Sequence, residues 1–290
     1  MTNLTRKFAW GLILLLPALI TNAQLIGSTF ESALKTGKAE LIYVYNDVED
    51  FAKLDEDGIV RGILVDLMTE FESYLLSKYK ITSNITFEQV KGSDFNEFLK
   101  TIKQSSQGVF GLSNTSITPK REEVYQFSQP YIDNISVLIT NNSMPSLGSL
   151  AEVNTSFEGM VAVSVPSSTY LDRLLKIKES QFPAMKIELV SSGQDVIERV
   201  SADRKAFAVV DLLYYLEFFK NGSPIKRHKV GDELGDRFGI LMPKDSDWKH
   251  VLDEFFSSGF MESSKYRIIV SNHLGASATR LISAESKTIE

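Results

Sequence analysis

The residues with the most chemistry to offer lie in Ser113–Asn114–Thr115–Ser116–Ile117–Thr118–Pro119–Lys120–Arg121, where four small polar side chains run into a basic turn. Thr118 suits an N-cap and Pro119 the first helical position, so a short helix is expected to begin here. Such a turn can aim backbone N–H groups and the Arg121 guanidinium at one point, and a guanidinium holds a carboxylate through two parallel hydrogen bonds. The competing reading of Arg121 is a solvated charge in a helical first turn.

Two further segments have complementary chemistry. In Val165–Pro166–Ser167–Ser168–Thr169 a strand end meets a helix start, and the free N–H groups with the positive end of the helix dipole favour an anion. Asp211 closes the apolar run Ala206–Val210 and precedes Tyr214, Tyr215, Phe218 and Phe219. Open α/β sheets place ligands at such strand ends, although Asp211 could equally be the N-cap of the next helix. A guanidinium and two sets of N–H donors suit a carboxylate, and one carboxylate suits an ammonium. Together the three segments describe a site for an α-amino acid.

These residues need elements to hold them. Glu40–Tyr45 reads as a buried strand, the Asp55–Gly58 turn as a hairpin, and Val65, Leu67, Met68, Phe71, Leu75 and Leu76 as one face of a helix. A strand (84–90), a helix (95–103) and a strand (109–112) follow. A second set starts after Tyr131, with strands at 136–140, 160–165, 186–190 and 206–210 and helices at 169–178 and 194–201. A last strand (238–242) and helix (249–257) precede a helical segment reaching Gly275, and Ala276–Glu290 is expected to be ordered only in part. The alternation predicts two α/β units with a cleft between them.

The N-terminus and composition bound the setting. Arg6 and Lys7 precede an apolar run from Phe8 to Ile20 that ends in Thr21–Asn22–Ala23, the pattern of a secretory signal peptide, so the mature chain is expected to start near Gln24. The run is too short to span a bilayer core of about 30 Å. The absence of cysteine leaves neither a disulfide framework nor a lipid-anchored cysteine. The net charge is −6 and lacks the Lys/Arg clusters of a nucleic-acid binder; Lys226, Arg227, His228 and Lys229, the densest basic run, read as a solvated loop after the Asn221–Pro224 turn. The three histidines, His228, His250 and His273, are far apart and read as surface residues rather than metal ligands or catalysts, so no metal and no cofactor is expected.

The landmarks follow an order that resembles the bacterial extracellular (periplasmic) solute-binding proteins of amino-acid ABC transporters, relatives of the ligand-binding domains of ionotropic glutamate receptors. The resemblance covers about Ala39 to Gly275. It rests on Gly62–Leu67, on Ser116–Arg121 with Phe127–Ser128–Gln129–Pro130–Tyr131, on Val163–Thr169, on Ala208–Asp211, on Phe238–Ile240 and on Gly259–Tyr266. It implies a two-lobed periplasmic-binding-protein-like α/β fold of type II with a hinge crossed twice, near Ile132–Ser136 and near Asp236–Phe238. Lobe 1 would hold residues 24–133 with 238–290, and lobe 2 residues 134–237.

By the same resemblance, Arg121 and the Ser116 amide bind a ligand carboxylate, helped by the amides of Ser168 and Thr169. The Ser116 hydroxyl, the Asn114 carbonyl and Asp211 bind the amino group. The aromatic segment that follows the family's first strand is here Val48–Glu49–Asp50–Phe51, so the ring that stacks on the ligand is absent or displaced, with Phe51 the candidate. Ser167 stands where the family has glycine. The implied function is capture of a small amino-acid-like solute and delivery to a membrane permease, by a periplasmic, monomeric, non-catalytic protein. A sensor module for a membrane partner and a dehydratase-like enzyme, with Glu49 or Asp50 as the extra acid, are the alternatives.

Overall fold

The computed structural model describes residues 24–286; the expected signal peptide, residues 1–23, lies outside them. In chain order the elements are α1 (Phe30–Thr36), β1 (Lys38–Tyr45), β2 (Lys53–Leu54), β3 (Val60–Arg61), α2 (Ile63–Tyr74), β4 (Thr82–Gln89), α3 (Phe95–Gln104), β5 (Val109–Leu112), α4 (Pro119–Glu122), β6 (Tyr125–Phe127) and β7 (Ile132–Asn141). They continue with α5 (Val153–Ser156), β8 (Val161–Ser164), α6 (Thr169–Ser180), β9 (Lys186–Leu189), α7 (Gly193–Ala202), β10 (Ala206–Asp211), α8 (Leu212–Lys220), β11 (Ile225–Phe238), β12 (Leu241–Pro243), α9 (Lys249–Phe255) and α10 (Ser264–Ser286).

Two five-stranded sheets form the two lobes, ordered β4-β1-β5-β12-β6 and β11-β7-β10-β8-β9. β1 pairs in parallel with β4 and β5, and β10 and β9 both pair in parallel with β8. The central strands β5 and β10 are buried along their whole length, and their apolar runs, Val109–Leu112 and Ala206–Val210, suit a sheet covered on both faces. Helix α2 buries Ile63, Leu64, Leu67, Met68 and Phe71 against the first sheet, where Trp248 is fully enclosed and donates from Nε1 to the Ser28 carbonyl at 2.7 Å.

The chain crosses between the sheets along β7 and β11. These strands pair antiparallel, with Ile132 opposite Phe238, Asp133 opposite Arg237 and Asn134 opposite Asp236. Both crossings therefore belong to one two-stranded ribbon.

Some sequence expectations need correction. Residues 226–229 lie in β11 rather than in a loop, with Ile225 and His228 buried beneath the charged neighbours. An edge strand has one side open to water, so Lys226, Arg227 and Lys229 can occupy it; Arg227 forms an ion pair with Asp232 across a register shift. His228 is 1 % exposed, so the surface reading fails for it. Among the described residues, 276–286 continue α10 beyond a break at Gly275, and α1, which the sequence reading did not place, precedes β1.

Candidate functional site

A cavity of 420 Å³ opens between the sheets, within the range of about 300–1,000 Å³ typical of small-ligand pockets. Its walls come from the carboxyl ends of parallel strands: Asn46 and Asp47 follow β1, Asn114 and Ser116 follow β5, Val165 follows β8, and Asp211 closes β10. Polar side chains collect there because the buried strands end at that edge and their loops turn back over it.

Arg121 is positioned by the helix start anticipated from Thr118 and Pro119. Thr118 Oγ1 accepts from the Arg121 N–H at 3.2 Å, and the guanidinium lies over the Phe95 ring at 5.3 Å. Its Nη1 donates to the Ser116 carbonyl at 2.8 Å and its Nη2 to the Ser167 carbonyl, in the other lobe, at 2.9 Å. A guanidinium has five N–H donors, so others are left for a ligand. Burial lowers its pKa from the usual range, opposed by the charge of Asp236, and it stays cationic.

Ser116 faces Phe238 in an antiparallel bridge closed by Ile117 N–H to Arg237 O at 2.8 Å and Gly239 N–H to Thr115 O at 3.2 Å. That is the non-hydrogen-bonded type of pair, so Ser116 turns its own N–H and C=O away from Phe238. The C=O receives Arg121, which puts the Ser116 N–H on the same side as the guanidinium. The Ser116 hydroxyl donates to Asp236 at 3.0 Å and lies 3.4 Å from Thr169 Oγ1.

In the second lobe Ser168 is the N-cap of α6: its Oγ accepts from Leu171 N–H at 3.2 Å and donates to Val165 O at 2.7 Å. Thr169 is the first helical residue, where an N–H has no intrahelical acceptor. Ser167 adopts φ 61°, the left-handed region, which accounts for the glycine expected at this place. Its Oγ donates to Asn96 Oδ1 at 3.1 Å, a further link between the lobes.

Asp211 occupies the N-cap position of α8 without capping it. Its carboxylate instead receives Asn114 Nδ2 at 2.6 Å and Asn134 Nδ2 at 2.5 Å, and it hydrogen-bonds with the Tyr170 hydroxyl. Burial pushes its pKa up to about 7, against those hydrogen bonds and with the negative charge of Asp236 adding to the rise. Asp236 is itself raised by burial, and Asn134 Nδ2 lies 3.3 Å from it. Two carboxylates thus share one amide, an arrangement that favours a cation.

Six of the seven anticipated residues line the cavity: Asn114, Ser116, Arg121, Ser168, Thr169 and Asp211. Phe51 does not. It is 1 % exposed and packs edge-on against Phe238 at 5.9 Å inside the first core. The cause is local: Ile63 and Leu64 N–H, at the start of α2, donate to the carbonyls of Asp50 and Phe51 at 2.8 and 3.0 Å. Gly62, at φ 143°, lets those backbones meet where a Cβ would lie 2.2 Å from the Phe51 carbonyl. Tyr45 is buried as well, and the rings at the cavity are Phe95, Tyr170, Tyr214 and Phe218.

The sequence reading also passed over Asp236 and Asn134, which it placed only as crossing points, and over Asn46 and Glu217. Their common signal was a polar residue at a strand end or on a largely apolar element. Among the described residues no group of three or more His, Cys, Asp or Glu is placed to hold a metal ion, and no helix is long and apolar enough to cross a membrane.

Residues 41–276 match the family described as bacterial extracellular solute-binding proteins, family 3, and the chain belongs to that family. No match is found among curated protein sequences. Solved structures share the fold. An ancestral arginine-binding protein bound to arginine is 17 % identical with a TM-score of 0.65, covering 81 % of this chain and 97 % of its own. An ABC uptake transporter substrate-binding protein from Streptococcus pneumoniae with bound histidine is 18 % identical with a TM-score of 0.66, covering 84 % and 95 %. A putative binding component of an ABC transporter from Wolinella succinogenes, complexed with lysine, is 14 % identical with a TM-score of 0.66, covering 81 % and 95 %.

Proposed function

We propose that this family member captures an α-amino acid between its lobes and presents it to an ABC-type permease, without catalysing a reaction. The observation that carries the reading is a guanidinium and a carboxylate on one cavity, Arg121 from the first lobe and Asp211 from the second. The ligand carboxylate takes the remaining donors of Arg121, with N–H groups of Ser116, Ser168 and Thr169 around it. The ammonium lies against Asp211, with Asn114 and the Ser116 hydroxyl beside it.

In this reading residues 24–133 with 238–290 form lobe 1 and residues 134–237 form lobe 2. A ligand that touches both stabilises the closed state over the open one, and closure is what the permease reads. The first 23 residues are removed on export, and the mature protein works as a monomer in the periplasm.

A thermal-shift panel of proteinogenic amino acids, with Arg121→Ala as control, tests the assignment. At a hundredfold excess over its Kd, a ligand specific to the folded state adds about 2.7 kcal/mol of stability. A shift produced by at least one amino acid and abolished by Arg121→Ala is expected. A shift that survives the substitution moves the carboxylate elsewhere, and a flat panel removes the amino-acid reading.

A further inference from the structure

The cavity walls carry more negative than positive charge: Asp47, Glu49, Asp195, Asp211 and Glu217 face only Lys53 and Arg121. Most of these groups are already engaged. Asp47 Oδ1 accepts from Leu54 N–H at 2.9 Å, Asp195 closes the capping box of α7 with Ser192, and Lys53 is ion-paired with Glu49. Arg121 and Asp211 belong to the two ends of the amino-acid backbone.

Glu217 remains. It projects from α8 in the second lobe, half-buried at the cavity, and among the described residues its carboxylate has no hydrogen bond or ion pair. The charges that act on it are Asp50, Glu49 and Lys53, on the hairpin side of the first lobe; those that act on Arg121 are Asp236 and Asp172. Glu49 and Lys53 line the cavity together with Glu217, whereas Arg121 is held by the carbonyls of Ser116 and Ser167. Tyr214, one turn before Glu217 on α8, lines the same cavity. A second observation points the same way: Asn46, also on the cavity wall, is 4 % exposed and its Oδ1 has no hydrogen-bond partner. A carboxylate with no ion pair of its own and an amide oxygen without a donor both suit a donor-rich positive group.

We propose that the cavity is built for an amino acid whose side chain ends in a cation, with Glu217 as the specificity-determining acceptor and Asn46 Oδ1, on the same cavity wall, as a second acceptor. Lys53 does not turn the site toward acidic side chains, because its ammonium is held by Glu49. The proposal rests on the amino-acid reading above for the placement of the ligand backbone.

Isothermal titration of the mature protein with L-arginine, with its neutral isostere L-citrulline and with agmatine, which lacks the carboxylate, separates the two readings. Arginine is expected to bind at least about tenfold tighter than citrulline, and Glu217→Gln to reduce that preference to within about twofold. Agmatine is expected to bind far more weakly than arginine. Citrulline binding as well as arginine overturns the distal-cation proposal and leaves the amino-acid reading standing. Agmatine equal to arginine, with citrulline weak, overturns the backbone placement and keeps the cation subsite. A preference for arginine that Glu217→Gln leaves intact overturns the role of Glu217, and no binding by any of the three overturns the proposal.

Discussion

The Asn114 amide donates to the Asp211 carboxylate at 2.6 Å and so joins the end of β5 in one lobe to the end of β10 in the other. This bond covers the charge that the proposed ligand ammonium would meet. Asp211→Asn keeps the shape and removes the charge. Its amino-acid affinity is expected to fall by about 30-fold or more, since losing one member of a buried charged pair costs about 2–5 kcal/mol. Titration calorimetry reads the loss, and unchanged circular dichroism shows that the fold persists.

Protons compete for the same carboxylate. With its folded pKa raised to about 7, above its ordinary 3.8, Asp211 adds stability that is full below about 4 and lost as pH rises through 7. An ammonium ligand needs the ionised form. Affinity is therefore expected to rise from pH 5 to 7 and level off above, with proton release on binding at pH 6. Calorimetry in two buffers of different ionisation enthalpy measures that release.

Ser167 combines a left-handed backbone with the hydroxyl that reaches Asn96. Ser167→Gly removes the strain and the bond together. The ligand-free melting temperature is expected to rise, on the order of 1 kcal/mol in stability. The ligand-free protein also opens further, and small-angle scattering reports the larger radius of gyration.

Phe51 belongs to the core, and a substitution there tells the two placements apart. Phe51→Ala is expected to cost about 3–5 kcal/mol in urea unfolding. At a temperature where the variant remains folded, its ligand affinity stays within about twofold of the parent. A stacking ring on the ligand would show the opposite pattern.

His228 Nδ1 accepts from the Leu147 N–H at 3.2 Å, which places the ring proton on Nε2 toward Thr140 Oγ1 at 2.7 Å. A second proton would face a donor. Burial, with Lys226 nearby, lowers the folded pKa from 6.5 to about 4. The neutral ring's contribution is full above about 6.5 and lost as pH falls toward 4, for about 3 kcal/mol in all. His228→Gln is expected to flatten the slope of stability against pH across that window, as urea titrations at several pH values would show.

What the sequence made legible were the features with a local cause. Pro119 after Thr118 fixed the start of α4 and with it the base of Arg121. The apolar run into Asp211 marked a central strand with a polar end. The features it hid depend on partners far away in the chain. The turn of Phe51 into the core depends on a glycine eleven residues on and on the first N–H groups of α2. β11 was hidden because an edge strand tolerates charge, so the alternation that marks a half-buried strand is broken by Arg227 and Asp232. Asp236 and Asn134 are cross-strand neighbours only once that ribbon has formed.

The ribbon also sets an order of events. Asn134 and Asp236 stand on the pivot itself, where a rotation of one lobe displaces atoms least, whereas Ser167 and Asn96 stand on the rims. On the proposed closure about this ribbon, groups near it would move least and the rim contact between Ser167 and Asn96 would engage last. Substitutions on the pivot should change how fast the solute is first held; those on the rims, how long the jaws stay shut.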